Sequence, residues 1–218
     1  MEEQFGTVLR QKITAANRLL QFDGRLQLSD GKYFPDLLIT LHQIIRSSVP
    51  LMRRAQEISS AIGGSQGERL SYYLASHIDE EANHDEWLLD DLRVLGWDRD
   101  SVLNVPPPEE VMAIVGSQYY LINHHDPVLL LGYIAALEGI PPVAEEVRVQ
   151  ASELGVPLDA LRTVLYHAEH DVDHSAELYD FISSLSLSDN QKSQLSLNAL
   201  RTISRLATLP VRPSMVDS

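Results

Sequence analysis

Two short segments of the chain place histidines and carboxylates at the spacing of one face of an α-helix. Residues 77–84 read His-Ile-Asp-Glu-Glu-Ala-Asn-His, and residues 167–174 read His-Ala-Glu-His-Asp-Val-Asp-His. In a helix, positions three, four and seven apart point the same way. The side chains that share a face are His77, Glu81 and His84 in the first segment, and His167, Asp171 and His174 in the second. Buried together, such groups would need a compensating partner, and a bound metal is the plainest one.

Both polar faces continue into apolar residues on the same side of the predicted helix. Leu88 and Leu92 follow the first set at helical spacing, and Leu178 follows the second. Charged residues three or four apart usually form a solvated face, but such a face seldom continues as an apolar stripe. We therefore interpret both sets as directed into the protein interior.

A third carboxylate, that of Glu138, ends the strongly apolar run at 129–137. A lone glutamate in such a run needs a partner if it is buried; alternatively, it lies at the rim near Pro141 and reaches water. With the two helical faces it gives three carboxylates and three imidazoles, which is a full set of ligands for two metal ions. Oxygen and imidazole ligands without sulfur suit iron or manganese better than zinc or copper.

The overall composition excludes several classes of function. With 17 Lys and Arg against 31 Asp and Glu, the net charge is −14, which argues against nucleic acid or an anionic membrane as a partner. The chain has no cysteine, so disulfides, thiolate metal sites and a cysteine nucleophile are excluded. Residues 1–4 include two glutamates and begin no apolar segment, and no apolar run is long enough to span a bilayer. We expect a soluble, cytoplasmic protein without a secretory signal.

Apolar residues recur with the period of a helix over nearly the whole chain, and no segment alternates as a β-strand does. We predict one all-α domain over residues 1–218, with its core at roughly 35–208 and a frayed tail at 209–218. The predicted helix boundaries rest on three signals: prolines at helix starts, Ser188 as an N-cap, and glycines that follow helices. The seven predicted helices span about 5–20, 35–61, 66–95, 109–122, 127–155 (interrupted at Pro141-Pro142), 157–185 and 189–209.

Three segments together resemble the haem-oxygenase-like di-iron oxidases, also called iron-containing redox enzymes. The similarity spans roughly 35–185 and lies in H-I-D-E-E-A-N-H-D-E-W-L-L-D-D-L-R-V-L-G at 77–96, G-Y-I-A-A-L-E-G at 132–139 and H-x-x-x-D-x-x-H at 167–174. The resemblance implies a seven-helix haem-oxygenase-like bundle that binds two Fe(II) per chain and uses O2 as co-substrate. It also implies the metal ligands, which are Glu81, His84, Glu138, His167, Asp171 and His174.

The sequence departs from this pattern at one position. In some relatives the first carboxylate lies two turns or more before the histidine, whereas the residue seven before His84 is His77. Glu81 is the preferred ligand and Glu80 the alternative, while His77 is either a ligand or a hydrogen-bond donor to one. His170 lies at the edge of the second face and is also a candidate hydrogen-bond donor to a metal ligand. For both histidines, an ordinary core or surface position is the alternative.

Two related branches of this superfamily are not expected, because the residues that they need are absent. The thiaminase-like branch needs a cysteine nucleophile, which this chain lacks, and a true haem oxygenase needs a proximal histidine on its first helix. The first histidine here is His42, on the second predicted helix, where it is a candidate to line a substrate pocket. Tyr73 and Tyr133 are further candidates for the pocket lining.

From the residues and the resemblance, we expect an O2-dependent non-haem di-iron oxidase or oxygenase. Its substrate would be a small organic molecule, either amino-acid-like or fatty-acid-like. We expect no nucleic acid or membrane partner, and a homodimer is one option for the assembly. Two alternatives stay open: a ferritin-like iron-binding or ferroxidase bundle, and a helical binding protein without a cofactor, in which the polar faces form buried networks.

Overall fold

The computed structural model describes residues 4–20, 31–139 and 142–209, although the side chains of residues 171–173 are not part of this description. These ranges contain α-helices, short 3-10 turns and no β-strand. The predicted tail from residue 210 onward lies outside the described residues. The α-helices are α1 (Phe5–Leu19), α2 (Phe34–Ile62), α3 (Gly64–Glu80), α4 (His84–Val94), α5 (Arg99–Asn104), α6 (Glu109–His124), α7 (Leu130–Glu138), α8 (Ala144–Leu154), α9 (Arg162–Ser184) and α10 (Asp189–Leu206).

The all-α prediction is confirmed, but the predicted number of seven helices is wrong: the described residues form ten. The helix predicted over 66–95 is divided, because Asn83 adopts the left-handed conformation at φ 70° and redirects the chain. Asparagine is among the few residues that tolerate this conformation. A six-residue helix, α5, also forms where a loop was predicted, with the Asp98 carboxylate accepting from the Ser101 N–H at its start. The helix predicted over 127–155 is present as α7 and α8.

The apolar interior consists of two clusters, and the long helices pass from one to the other. The first cluster includes Leu51 of α2, Leu74 of α3 and Leu178 of α9. The second cluster joins the beginning of α2 to α4, α8 and the residues just before α9. The polar residues at the α3–α4 junction and in the middle of α9 therefore lie between the two clusters, as the stripes in the sequence predict.

Helix α7 is packed on nearly all sides and fixes the position of Glu138 at its C-terminal end. Leu131 is fully buried and Tyr133 is only 1% exposed. A Cβ atom added to Gly132 would lie 2.6 Å from the backbone oxygen of Leu195, so glycine allows α7 to approach α10 closely. None of the described helices, α7 included, is long and apolar enough to cross a membrane.

Candidate metal centre

Four helices bring imidazoles and carboxylates together between the two apolar clusters. The end of α3, the start of α4, the end of α7 and the middle of α9 each contribute at least one such group. Four of the residues that carry them are only 1% to 8% exposed, namely His77, Glu81, His84 and Glu138. Burial to this degree is unusual for charged or basic groups and requires compensation.

The turn between α3 and α4 places Glu81 beside His84. Glu81 follows the last residue of α3, and its backbone N–H donates to the carbonyl of His77 at 3.0 Å. His84 begins α4, and its Nδ1–H donates to Oε2 of Glu81 at 3.0 Å. The two side chains therefore stay together although the helix predicted to carry both is interrupted.

One group of potential metal ligands joins this turn to α9. Glu81, His84 and His167 each offer one ligand atom, and these atoms lie within 4.8 Å of one another. The rings of His84 and His167 meet edge to face, with centroids 4.8 Å apart. This spacing allows three side chains from separate segments to bind one ion.

A second group of potential ligands joins the same turn to α7. It contains His77, Glu81 and Glu138, whose ligand atoms also lie within 4.8 Å of one another. Nε2–H of His77 donates to Oε1 of Glu138 at 3.1 Å, and Nδ1 of the same ring lies 3.3 Å from Oε2 of Glu80. The carboxylate of Glu81 is common to both groups.

The charges in this cluster stabilise one another. Burial raises the pKa of Glu81, but the hydrogen bond from His84 and the nearby imidazole of His167 more than offset this effect and leave the pKa below its ordinary value. Burial lowers the pKa of His77, but the carboxylate of Glu138 and its hydrogen bond outweigh burial, and the pKa rises to about 9. At neutral pH the cluster therefore contains an ionised Glu81 and a protonated His77.

The donor set fits a metal ion. Oε1 of Glu81 is buried and has no hydrogen-bond partner among the described residues. A buried carboxylate oxygen without a partner costs free energy, which coordination to a cation would recover. Oxygen and imidazole donors without sulfur suit iron or manganese.

The other predicted ligands lie around these two groups. His174 belongs to neither group and lines a cavity beside His77. Asp171 lies in α9, but its side chain lies outside the described residues. Glu80 is exposed and contacts His77 from the outside. His170 is exposed as well; its Nδ1–H donates to the Tyr166 carbonyl at 2.8 Å, and its ring stacks on that of Tyr166.

The three predicted pocket residues occupy different places. Tyr73 lines the cavity next to His77. Tyr133 is buried in the first apolar cluster, and its hydroxyl is hydrogen-bonded to that of Ser48 at 3.1 Å. His42 is 1% exposed, and burial, with the nearby charge of Arg46, lowers its pKa. Neither His42 nor Tyr133 is among the residues that line the cavity.

The cavity itself has a volume of about 220 Å³ and lies between α3 and α9. Its lining residues are Tyr72, Tyr73, Ser76, His77, Glu80, His174, Glu177 and Phe181. Of the lining residues on α9, the sequence did not lead us to Glu177 and Phe181. Their spacing gives the signal, because they lie three and seven residues after His174 and so share its helix face.

A buried carboxylate connects the two helices that carry His84 and His167. Asp91 lies two turns after His84 on α4, is 1% exposed, and accepts a hydrogen bond from the backbone N–H of Thr163 at 2.9 Å. Thr163 is the second residue of α9, so the carboxylate satisfies one of the N–H groups left open at the start of that helix. This contact holds α9 in position relative to α4.

Known proteins match both the sequence and the fold. Residues 34–207 match the family of iron-containing redox enzymes. A domain of unknown function with a heme oxygenase-like fold, from Shewanella denitrificans OS217, has a TM-score of 0.78 at 16% identity, over 93% of this chain and 88% of that one. A TenA homologue from Pseudomonas syringae pv. tomato str. DC3000 has a TM-score of 0.74 at 13% identity, over 93% and 89% of the two chains. No curated protein matches the sequence significantly.

The two structural neighbours establish the fold, which is heme oxygenase-like. The family match extends from the start of α2 to the end of α10 and includes every residue of both candidate ligand groups. The resemblance inferred from the sequence is thereby confirmed, and this chain belongs to the family of iron-containing redox enzymes.

Proposed function

We propose that this protein is an O2-dependent non-haem di-iron oxidase or oxygenase that acts on a small organic molecule. The observation that carries the proposal is the position of Glu81, whose carboxylate lies in one group with His84 and His167 and in a second group with Glu138. A carboxylate has two oxygens and can bind one ion with each. A pair of ions next to each other is the arrangement that carboxylate-rich helical bundles use for iron.

The residues divide into two sets around Glu81. His84 and His167 would hold one iron together with Glu81, and Glu138 would hold the second. Asp171 and His174, which the resemblance implies as ligands, would complete the coordination from α9. When bound, the two irons supply the capacity to reduce O2 and to oxidise a neighbouring molecule.

His77 has a distinct role in this scheme. Its Nε2–H donates to Glu138, and its Nδ1 lies near Glu80, so the ring is held at both nitrogens. A histidine held in this way orients the carboxylate to which it donates, as outer partners of metal ligands commonly do. We therefore assign His77 to the orientation of Glu138 and to the proton balance of the centre.

The cavity between α3 and α9 supports an organic substrate. One of its lining residues, His77, donates to Glu138, and another, His174, is a ligand that the resemblance implies. An iron-storage bundle has no need for such a cavity beside its metal site. The family of iron-containing redox enzymes, to which the chain belongs, supports the assignment to iron.

Anaerobic titration with Fe(II), followed by O2, tests this function. The proposal expects about two Fe(II) bound per chain and a transient visible absorption after O2 is added. Without a reductant, O2 uptake should then stop at an amount set by the bound iron. A ferritin-like ferroxidase would instead keep oxidising Fe(II) added beyond two equivalents, and that result would contradict the proposal.

A further inference from the structure

The cavity beside the candidate centre has aromatic walls. Tyr73 stacks on Phe181, with ring centroids 4.2 Å apart and planes within 7° of parallel. The other face of Tyr73 lies toward His77, at 5.6 Å between centroids. Tyr72, which is 82% exposed, adds a third aromatic ring at the rim. Tyr73 is therefore flanked by rings on both faces, and the stack presents apolar ring surface to the cavity.

The rim of the cavity carries two acidic residues. Glu80 and Glu177 are both exposed there, one from α3 and one from α9. Of the described residues that line the cavity, none is lysine or arginine, and the protonated imidazole of His77 is paired with Glu80 and with Glu138. Burial raises the pKa of the Tyr73 hydroxyl, and so do the surrounding carboxylates, those of Glu138, Glu80, Glu177 and Glu81. The carboxylates around Tyr73 therefore outnumber the imidazolium of His77, which lies beside the same ring.

We propose that this cavity binds a small organic amine in its cationic form, with the ammonium group between Glu80 and Glu177 and the carbon skeleton against Tyr73 and Phe181. The proposal names the substrate class of the oxidase proposed above and rests on that function for the oxidation step, although not for binding. Apolar ring surface suits the carbon skeleton, and carboxylates suit the ammonium group through charge-assisted hydrogen bonds.

The size and charge of the cavity favour a small cation over other substrate classes. An apolar cavity of about 150 Å³ accommodates benzene, so 220 Å³ suits a molecule only a little larger. A long fatty acyl chain exceeds this volume. A carboxylate substrate would also place its charge near Glu80 and Glu177, where like charges repel.

Calorimetric titration of the full chain with three probes of nearly equal size tests the proposal. The probes are benzylamine, which is a cation at pH 7, benzyl alcohol, which is neutral, and benzoate, which is an anion. Benzylamine should bind most tightly and benzoate most weakly, and raising the salt concentration should weaken only the benzylamine complex. Failure of benzylamine to bind at millimolar concentration, or binding of benzoate at least as tight, would overturn the amine site.

A pair of variants locates the binding. Glu177→Gln removes one rim carboxylate at an exposed position, and Glu153→Gln makes the same change at an exposed position on α8. Glu177→Gln should weaken benzylamine binding by about fivefold, the upper end for an exposed ion pair, and leave benzyl alcohol unaffected. Glu153→Gln should change neither. Equal affinities in wild type and Glu177→Gln would place the amine elsewhere and contradict the proposal.

Iron binding, measured on the same samples, separates this proposal from the function on which it builds. A wild-type protein that binds iron but not benzylamine would overturn the amine site and leave the metal centre intact. Binding of benzylamine without iron would keep the amine site and contradict the proposed oxidase.

Discussion

Glu81 is the residue on which both candidate iron positions depend. Because its carboxylate belongs to both ligand groups, its loss should affect two ions, whereas the loss of Glu138 should affect one. We predict that Glu81→Gln reduces bound iron from about two per chain to well below one, and that Glu138→Gln leaves about one. Elemental analysis after anaerobic reconstitution measures this difference.

Glu80 provides the matched control for that prediction. It is adjacent to Glu81, but its carboxylate lies on the exposed side of His77. Glu80→Gln should keep about two irons per chain. If Glu80→Gln lost iron while Glu81→Gln retained it, Glu80 would be the ligand and the assignment of Glu81 would be incorrect.

Two histidines on α9 should differ sharply in importance. His167 belongs to a group of potential ligands, whereas His170 is exposed and stacked on Tyr166. His167→Ala opens a coordination position that water fills poorly, so we predict a fall in iron affinity of at least tenfold, the usual scale for groups at a metal centre. His170→Ala should change it little. Competition with a chelator measures both affinities, and a reversed order would show that the wrong face of α9 was assigned.

For single residues, helical spacing predicts which side chains lie on the same side of a segment. It joined Glu81 to His84 and singled out His167. The contact between His77 and Glu138 was not predictable in the same way, because the two residues are 61 positions apart and only the tertiary fold brings the end of α7 next to the end of α3. Spacing alone also left the choice between Glu80 and Glu81 as the ligand open, because the tertiary fold decides which of two adjacent side chains points inward.

Among the elements, the junction of α3 and α4 positions Glu81 and His84 of the candidate centre. The apolar period continues through residues 78–92, so the sequence predicts one helix there. A single left-handed residue, Asn83, divides it without moving Glu81 away from His84. Periodicity reports which face is buried and carries little information about such a local break, which depends on one backbone angle.

The hydrogen bond between Asp91 and α9 gives a prediction about elements. Asp91→Ala leaves the buried Thr163 N–H without its acceptor, which should lower the free energy of unfolding by about 1–3 kcal/mol. Asp91→Asn keeps an acceptor oxygen and should cost much less. Urea unfolding of the three proteins measures the difference, and equal stabilities would show that the contact does not hold α9.

The stability difference between Asp91→Asn and wild type should also change with pH in a defined direction. Burial raises the pKa of Asp91 against the opposing hydrogen bonds from Thr163, so the ionised carboxylate lowers stability at pH values above its pKa in the folded protein. Asp91→Asn lacks this cost. Its stability relative to wild type should therefore be greatest above the raised pKa of Asp91, should decrease as the pH falls from there to the ordinary value of about 4, and should stay constant below it.

The whole molecule consists of two apolar clusters with a polar layer between them. The sequence predicted the helical class and the apolar stripes on either side of each polar segment. It did not predict that α2, α9 and the α3–α4 pair all pass from one cluster to the other, because that arrangement depends on tertiary packing. The candidate centre therefore lies where the two halves of the interior meet.

A metal at that boundary should stabilise the entire fold. The ligand atoms come together only in the folded chain, so a cation that binds them shifts the equilibrium toward the folded state. At a hundredfold excess over Kd the gain is about 2.7 kcal/mol, which for a protein of this size raises Tm by roughly 5–10 °C. Anaerobic thermal melts with and without Fe(II) or Mn(II) measure the shift. Glu81→Gln should show almost none, and a wild-type Tm unchanged at saturating metal would indicate a purely structural polar network.

The most direct test of the central claim is whether the bound irons are neighbours. After anaerobic loading with iron-57 and exposure to O2, Mössbauer and electron paramagnetic resonance spectra of the same sample report both the number of irons and their magnetic coupling. The shared carboxylate of Glu81 predicts about two high-spin ferric ions per chain that are antiferromagnetically coupled and therefore silent in electron paramagnetic resonance. A plateau at one iron per chain, with the signal of an isolated ferric ion, would contradict it.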